Sequence, residues 1–170
     1  AALAGLLFAG WISANLRDPK VVVWTLAGYG VLLAVVDRYA SSRRNITDVG
    51  LRDAILIGFA QALALIPGTS RSGVTITVGR LRGFARQDAA RFSFLLSAPV
   101  ILLATLYAGV TLVTGDAPVA WDNLALAVLI SAVVAYVSIE FFMRVVNVIG
   151  LLPFAIYRLL LACVIVYVVL

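Results

Sequence analysis

The sequence predicts an all-α polytopic membrane protein: a transmembrane helix bundle that forms a single domain over residues 1–170. Hydrophobic residues make up 64% of the chain, charged residues make up 12%, and the mean hydropathy is +1.10. A soluble domain, by comparison, is about half apolar and about a quarter charged. Uncharged stretches also recur at lengths that reach or approach the ~20 residues that a membrane-spanning helix needs.

Charged residues separate the predicted elements along the chain. The apolar stretches between them are 1–16, 21–36, 54–66, 74–79, 92–115, 123–143 and 153–170. The net charge of +5 comes from arginines in the short connecting loops, where they indicate orientation in a membrane rather than nucleic-acid binding. We therefore expect membrane lipids, and no nucleic acid, as partners. The loop 116–122 has no basic residue and is predicted to lie outside.

Two of these stretches, 54–66 and 74–79, are too short to cross a membrane singly. The loops that flank them, 37–53 and 80–91, are both rich in arginine, and the positive-inside rule assigns both to the cytoplasm. A single crossing would separate these loops, whereas a hairpin keeps them on one side. The sequence therefore predicts a re-entrant half-helix hairpin around residues 54–80.

The turn of this hairpin, Pro67–Gly73, is the main candidate functional site. It combines glycines that permit tight torsions, side-chain hydroxyls and an arginine, which pairs bidentately with phosphate oxygens. A helix starting after the turn would add the positive end of its dipole. The predicted pyrophosphate-binding residues are Gly68, Thr69, Ser70, Arg71, Ser72 and Gly73. The alternative is an ordinary Pro-Gly loop at the lipid head groups, but the cost of an intramembrane charge favours an anion site.

Polar residues in the neighbouring stretches are candidates for lining a cavity beside the turn. Non-helical backbone at membrane depth is tolerated only where it is surrounded by protein or by a water-filled cavity. Gln61, Ser93 and Ser97 could face such a cavity, although hydrogen bonds between packed helices would explain them equally well.

Other charged positions carry weaker signals. An arginine cluster in the loop 80–91 either binds anionic lipid head groups or only sets the orientation of the chain. Its members are Arg80, Arg82, Arg86 and Arg91. Glu140 and Arg144 stand at i and i+4, which favours a surface ion pair over a general base. We expect Arg158, early in the last apolar stretch, to snorkel to the membrane interface.

Three segments of the chain resemble the undecaprenyl-pyrophosphate phosphatase family of the BacA type. They are Gln61–Gly73, which contains Ile-Pro-Gly-Thr-Ser-Arg-Ser-Gly, Arg91–Pro99 and Pro153–Arg158. The resemblance implies a multi-pass enzyme of the bacterial inner (plasma) membrane, built from inverted repeats with re-entrant hairpins. Such an enzyme hydrolyses undecaprenyl pyrophosphate to undecaprenyl phosphate and phosphate, which recycles the lipid carrier of peptidoglycan synthesis and confers bacitracin resistance.

The same resemblance implies a set of roles and ligands. Arg71 and Ser70 are the expected catalytic residues, and Arg71 is expected to bind pyrophosphate. The implied substrate is a polyprenyl pyrophosphate lipid, and the implied cofactor is a divalent cation, Mg²⁺ or Ca²⁺. A homo-oligomer is compatible with these expectations.

The chain departs from the family pattern because it lacks the first signature, which supplies glutamates and a histidine. It has no histidine, and Glu140 is its single glutamate, so no metal-ligand set is identifiable. Since it also begins at Ala1 within an apolar stretch, we expect the C-terminal part of a longer inverted-repeat protein, inactive alone. Two other functions stay open: a transporter or flippase for an anionic lipid, and a structural membrane subunit.

Overall fold

A computed structural model describes residues 16–115 and 120–169 of the chain. Within these ranges the chain forms α-helices, one short 3-10 helix and no strand, which confirms the predicted all-α class. The helices are α1 (Pro19–Tyr39), the 3-10 helix (Ile46–Asp48), α2 (Leu51–Leu63), α3 (Arg71–Leu81), α4 (Arg86–Thr114), α5 (Trp121–Val148) and α6 (Leu152–Val169). The predicted stretch 1–16 and the loop 116–122 lie largely outside the described residues.

Four of these helices, α1, α4, α5 and α6, are long and apolar enough to cross a membrane. Large apolar side chains on α4 and α5 are exposed on the protein surface, among them Leu103, Tyr107, Val134 and Tyr136. A continuous apolar surface of this kind is suited to contact with lipid rather than with water.

Two helices extend beyond their predicted limits. Helix α4 begins at Arg86, inside the segment predicted to be the loop 80–91, and carries Asp88 in its first turn. An acidic residue there is stabilised by the helix dipole, which favours the earlier start. Helix α5 continues to Val148, and Gly150, with φ of +91°, then turns the chain into α6.

The short helices α2 and α3 form a hairpin at the predicted place. They pack against each other, and residues 64–70 join them. The start of α2 and the end of α3 meet at Asp53, whose carboxylate accepts hydrogen bonds from Arg82 Nε at 2.7 Å and Arg44 Nη2 at 2.6 Å. The two arginine-rich loops therefore lie at the same end of the hairpin. The depth to which the hairpin enters a membrane stays a prediction.

A second ionic cluster joins α3 to the end of α1 and the start of α4. The side chain of Arg80 is buried and donates to the carbonyl oxygens of Phe84 at 2.6 Å and Ala40 at 3.1 Å. Asp37 accepts a hydrogen bond from Arg86 Nε at 2.6 Å, and its carboxylate lies 3.6 Å from Arg80 Nε. These contacts fix the end of α3 that lies away from the turn.

Helix α3 lies at the centre of the molecule, where it packs against α1, α2 and α4. Helix α6 packs along α1. The buried apolar core consists of Leu33, Ile57, Ile76, Phe84, Ala89, Ala90, Val146, Leu151 and Ala155. This packing brings the start of α3 close to both α1 and α6.

Candidate functional site

The turn between α2 and α3 is pressed closely against α1. Gly68 has φ of +88°, and a Cβ atom there would overlap Thr25 Oγ1 and lie 2.7 Å from the Val22 carbonyl oxygen. Thr25 Oγ1 also donates a hydrogen bond to the carbonyl oxygen of Pro67 at 2.6 Å. Glycine is therefore required at position 68 both by the backbone torsion and by the lack of space.

Ser70 ends the turn and caps α3. Its φ of 64° is positive, a conformation that costs a residue other than glycine about 1–3 kcal/mol. Its Oγ accepts a hydrogen bond from the backbone N–H of Gly73 at 3.3 Å, and the residue is otherwise exposed. The strained torsion thus places an accessible hydroxyl beside the N-terminus of α3.

Thr69, in contrast, faces the interior of the turn. Its side chain is 0% exposed, and its Oγ1 donates to the carbonyl oxygens of Ile66 at 2.7 Å and Leu63 at 3.1 Å. The structure therefore assigns this hydroxyl to bracing the turn, not to the ligand contact predicted for it.

A cavity of about 290 Å³ lies beside the turn. Its polar lining comes from Ser70, Ser72, Gly73 and Arg158. The remaining lining is formed by the hydrophobic and aromatic residues Leu26, Leu33, Ile76, Phe142, Leu151, Phe154 and Tyr157, from α1, α3, α5 and α6 and the turn before α6. A cavity with one polar end and apolar walls is suited to a ligand that has an anionic group and a hydrocarbon part.

Arg158 is the charged residue of this cavity, and its predicted snorkelling is wrong. The residue is 8% exposed, and its Nη2 donates to the carbonyl oxygens of Gly68 at 2.8 Å and Thr69 at 3.1 Å. Its Nε has no hydrogen-bond partner within 16–115 and 120–169, and no carboxylate there pairs with it. A buried cation that meets only neutral partners has unused capacity to bind an anion.

Gly30 makes room for Arg158 beside α1, while a Cβ atom at Gly73 would be in ordinary contact with its guanidinium. A Cβ atom at Gly73 would lie 3.4 Å from Arg158 Nη1, and one at Gly30 in α1 would lie 3.3 Å from Arg158 Cβ. Neither contact is readable from the sequence. One signal was present, however: an arginine within an apolar helix, with its nearest acidic neighbour as far away as Glu140, points towards the bundle interior.

Arg71 lies on another side of the turn and is not among the residues that line the cavity. Its Nη2 donates to the carbonyl oxygen of Ser97 in α4 at 3.0 Å. The carboxamide oxygen of Gln61, oriented towards Arg71, accepts hydrogen bonds from Arg71 Nε at 3.0 Å and from Arg71 Nη2 at 3.1 Å. Gln61 and Ser97 are therefore near the turn, as the sequence predicts, but as partners of Arg71 and not as cavity walls.

Ser93 also differs from its predicted cavity-lining role. Its hydroxyl lies 2.6 Å from the hydroxyl of Thr75, and both residues are buried between α3 and α4. The hydrogen bond joins the two helices, which is the alternative that the sequence left open.

The residues around the turn do not form a metal site. Within 16–115 and 120–169, no group of three or more His, Cys, Asp or Glu side chains could hold a metal ion. The carboxylates of Asp37 and Asp53 are bound to arginines at the opposite end of α3. The described part of the chain therefore does not fit the divalent cation that the resemblance implies.

Comparison with known proteins gives a consistent result across almost the whole chain. Residues 1–164 match the model of a family described as bacitracin resistance protein BacA. The chain is 49% identical over 167 residues to undecaprenyl-diphosphatase 2 of Stutzerimonas stutzeri, a match that covers 96% of this chain and 62% of that protein. It is 51% identical over 161 residues to undecaprenyl-diphosphatase of Teredinibacter turnerae, covering 95% of this chain and 61% of the relative.

A third relative, undecaprenyl-diphosphatase of Nitrosococcus oceani, is 47% identical over 165 residues, covering 97% of this chain and 62% of the relative. The chain thus spans about three fifths of the length of the curated relatives it matches.

Proposed function

Since the chain belongs to the bacitracin resistance protein BacA family, we propose that the complete protein carrying it hydrolyses undecaprenyl pyrophosphate to undecaprenyl phosphate and phosphate. The names of its relatives as undecaprenyl-diphosphatases support this reaction. The reaction would return the lipid carrier to peptidoglycan synthesis and confer bacitracin resistance. The transporter or flippase considered from sequence is not favoured, because these relatives are named as hydrolases.

The observation that carries the proposal is the amphipathic cavity beside the turn. At one end it presents a buried arginine, Arg158, together with the hydroxyls of Ser70 and Ser72. Its other walls are largely apolar. A polyprenyl pyrophosphate has the matching form, since its charged head group is joined directly to a hydrocarbon chain.

The chain's own groups would bind and orient the head group. The Ser70 and Ser72 hydroxyls donate hydrogen bonds to phosphate oxygens, and Arg158 supplies positive charge that remains in place as negative charge moves during the reaction. The N-terminus of α3, which begins at Arg71, adds backbone N–H groups and the positive end of the helix dipole. Ser70, held in its strained torsion, is the chain's candidate for contact with the phosphoryl group being transferred.

Arg71 keeps the pyrophosphate-binding role that the resemblance implies. Its guanidinium is bound by Gln61 and by the Ser97 carbonyl, two neutral groups that leave its charge uncompensated. We propose that Arg71 and Arg158 approach the head group from two sides of the same turn.

A divalent cation, Mg²⁺ or Ca²⁺, stays part of the proposal through the resemblance. Such an ion would neutralise charge on the phosphoryl oxygens when bound. Because the described residues do not fit it, the contribution that we propose for them is to bind and orient the substrate. We also propose the bacterial inner membrane as the location, while a homo-oligomer stays a prediction.

Phosphate release from undecaprenyl pyrophosphate by the complete protein tests the role of Arg158. Arg158→Gln keeps a hydrogen-bond donor but removes the charge, so we expect kcat/KM to fall by about 100-fold or more. Arg158→Lys should recover part of this loss, because it restores charge without the planar fork.

The matched control is Arg52→Gln, which removes an exposed charge at the start of α2. It should hydrolyse substrate at the wild-type rate. If Arg158→Gln keeps both the wild-type melting temperature and wild-type kcat/KM, the cavity is not the substrate site.

A further inference from the structure

A second, larger concavity separates α4 from α5 at the arginine-rich end of the molecule. Its volume is about 610 Å³, and Ile46 of the 3-10 helix is one of its lining residues. Both helices are candidate membrane spans and expose apolar side chains along their length. The groove therefore opens from a surface that is suited to lipid.

The lining of this groove is polar and cationic at one end and mostly apolar further along. Gln87 and Asn147 line its outer end, and Arg91 and Arg144 come next. The apolar residues Phe94, Leu95, Ile139 and Met143 line the deeper part together with Glu140, which pairs with Arg144. From Gln87 to Leu95 the α-helical rise is about 12 Å. This order, polar and cationic before apolar, follows the order of head group and acyl chain in a phospholipid that enters from the same side.

The two groove arginines differ from Arg80, Arg82 and Arg86, which are bound to carboxylates at the same end. Arg80 and Arg86 are bound to Asp37, and Arg82 is bound to Asp53. Arg91 has no side-chain hydrogen bond or ion pair to any residue within 16–115 and 120–169.

Among the residues that the structure describes, the side chain of Arg144 pairs with Glu140 alone, at 3.0 Å, and the two side chains are 76% and 52% exposed. An exposed i,i+4 pair of this kind is weak and easily exchanged for another anion.

We propose that the groove between α4 and α5 binds one anionic glycerophospholipid. The head-group phosphate would lie between Arg91 and Arg144, with Gln87 and Asn147 donating hydrogen bonds at the rim. An acyl chain would follow Phe94, Leu95 and Met143 along the helices. Basic pockets between membrane helices at the cytoplasmic side are the surroundings in which anionic head groups are held.

This groove and the cavity proposed for the substrate share no lining residue, and their walls meet where Phe94 packs against Phe142 with ring centroids 5.5 Å apart. Helix α3 consists of the 11 residues Arg71–Leu81 and has a rise of about 16 Å. The turn at Ser70 lies at one end of this helix, and the arginine-rich loops lie at the other. Phosphate release does not enter the proposal, so failure of one site leaves the other standing.

The test is lipid retention by the complete protein, measured by native mass spectrometry after mixing with phosphatidylglycerol or phosphatidylcholine. We expect the wild type to retain phosphatidylglycerol in preference to phosphatidylcholine. The double variant Arg91→Gln/Arg144→Gln should retain one phosphatidylglycerol fewer per chain than the wild type. Its apparent affinity for phosphatidylglycerol at this site should fall by about tenfold or more. Arg52→Gln, which removes a charge from the same end but outside the groove, should retain lipid as the wild type does.

Two further variants separate lipid binding from misfolding. Glu140→Gln removes the carboxylate that competes for Arg144, so retention of phosphatidylglycerol should rise, a gain that a folding defect cannot produce. Leu95→Trp fills the apolar part and leaves both arginines in place, so retention should fall.

Retention that is unchanged in the double variant and in both further variants would overturn the proposal. That is also the result expected if another segment of the protein fills the groove.

Discussion

Gly68 and Ser70 both adopt positive φ values, of 88° and 64°, within one short turn. The first is accommodated by glycine, while the second is imposed on a serine. Such strain persists only where the surrounding contacts hold it, here through Thr25 on α1 and Arg158 on α6. The turn is therefore shaped by its neighbours and not by its own sequence alone.

Replacing Gly68 with alanine should destabilise the protein by more than about 1 kcal/mol, because the new methyl group meets Thr25 and Val22 and the torsion is unfavourable for alanine. Gly28 is the matched control, since a Cβ atom there meets nothing within 4 Å and the residue lies inside α1. Gly28→Ala should be neutral or mildly stabilising. Melting temperatures in detergent compare the two, and an equal effect of both changes would contradict the packing described for the turn.

Arg71→Lys should lower the rate of phosphate release by the complete protein, because a point charge does not replace a guanidinium that donates to Gln61 and Ser97 at once. The loss should appear in kcat/KM by about tenfold or more. Gln61→Ala should weaken activity less, since it removes only one of the groups that hold Arg71. Wild-type turnover by Arg71→Lys would remove Arg71 from the mechanism.

The role of a side chain could be predicted where its neighbours in space are also its neighbours in the sequence. Ser70 and Ser72 lie beside the cavity at the start of α3, as the turn predicted before a helix implies, and their contact with phosphate stays a prediction. Thr69 has the same chemistry, but its inward direction is set by the torsions of the turn. Arg158 was misjudged because its partners, the carbonyls of Gly68 and Thr69, are far from it in sequence.

The hairpin of α2 and α3 is held at its open end by one carboxylate. Asp53 lies where α2 begins, and it accepts from Arg44, just before the 3-10 helix, and from Arg82, just after α3. Helices of 13 and 11 residues have little stability of their own, so contacts at their ends matter. The Asp53 carboxylate therefore holds the start of α2 and the end of α3 together.

The stability of the hairpin should therefore depend on pH in acid. The hydrogen bond from Arg44 holds the pKa of Asp53 well below its ordinary value, with Arg82 and the Gly50 N–H adding to this and desolvation opposing it. A lowered folded-state pKa contributes stability that is present above the ordinary carboxylate pKa of about 4 and is lost as the pH falls below it. Melting temperatures of the complete protein between pH 7 and pH 3 should show this decline.

Asp53→Asn should lower stability at pH 7 by about 1–3 kcal/mol and should also flatten this dependence on pH. Asp88→Asn, at the start of α4, changes a carboxylate that pairs with no arginine among the residues described and should leave the slope in place. A wild-type slope in Asp53→Asn would show that other groups govern the acid sensitivity.

The helices themselves were predictable in kind but not in extent. Uncharged stretches identify the four long helices, because a membrane span must exclude charge. The predicted start of α4 was too late because charged residues, Arg86 and Asp88 among them, form its first turn. The break between α2 and α3 was foreseen from length and from arginine placement together.

The molecule as a whole assembles its cavity from distant parts of the chain. Ser70 comes from the hairpin, Leu26 from α1, Phe142 from α5 and Arg158 from α6. Composition and charge predict which segments span a membrane, yet they do not predict which faces meet, because packing is decided by small residues and shape. The family match over residues 1–164 is consistent with the resemblance that three short segments already carried.

The close approach of α6 to Gly30 has a consequence for how such a protein could diversify. The spacing between these two helices sets how far the guanidinium of Arg158 extends over the turn. A methyl group at position 30 would push α6 away from α1 and would move the Arg158 guanidinium away from the turn, although position 30 does not line the cavity. Under the proposed function, the distance between α1 and α6 would thus tune the affinity for a pyrophosphate, while every side chain that lines the cavity stays the same.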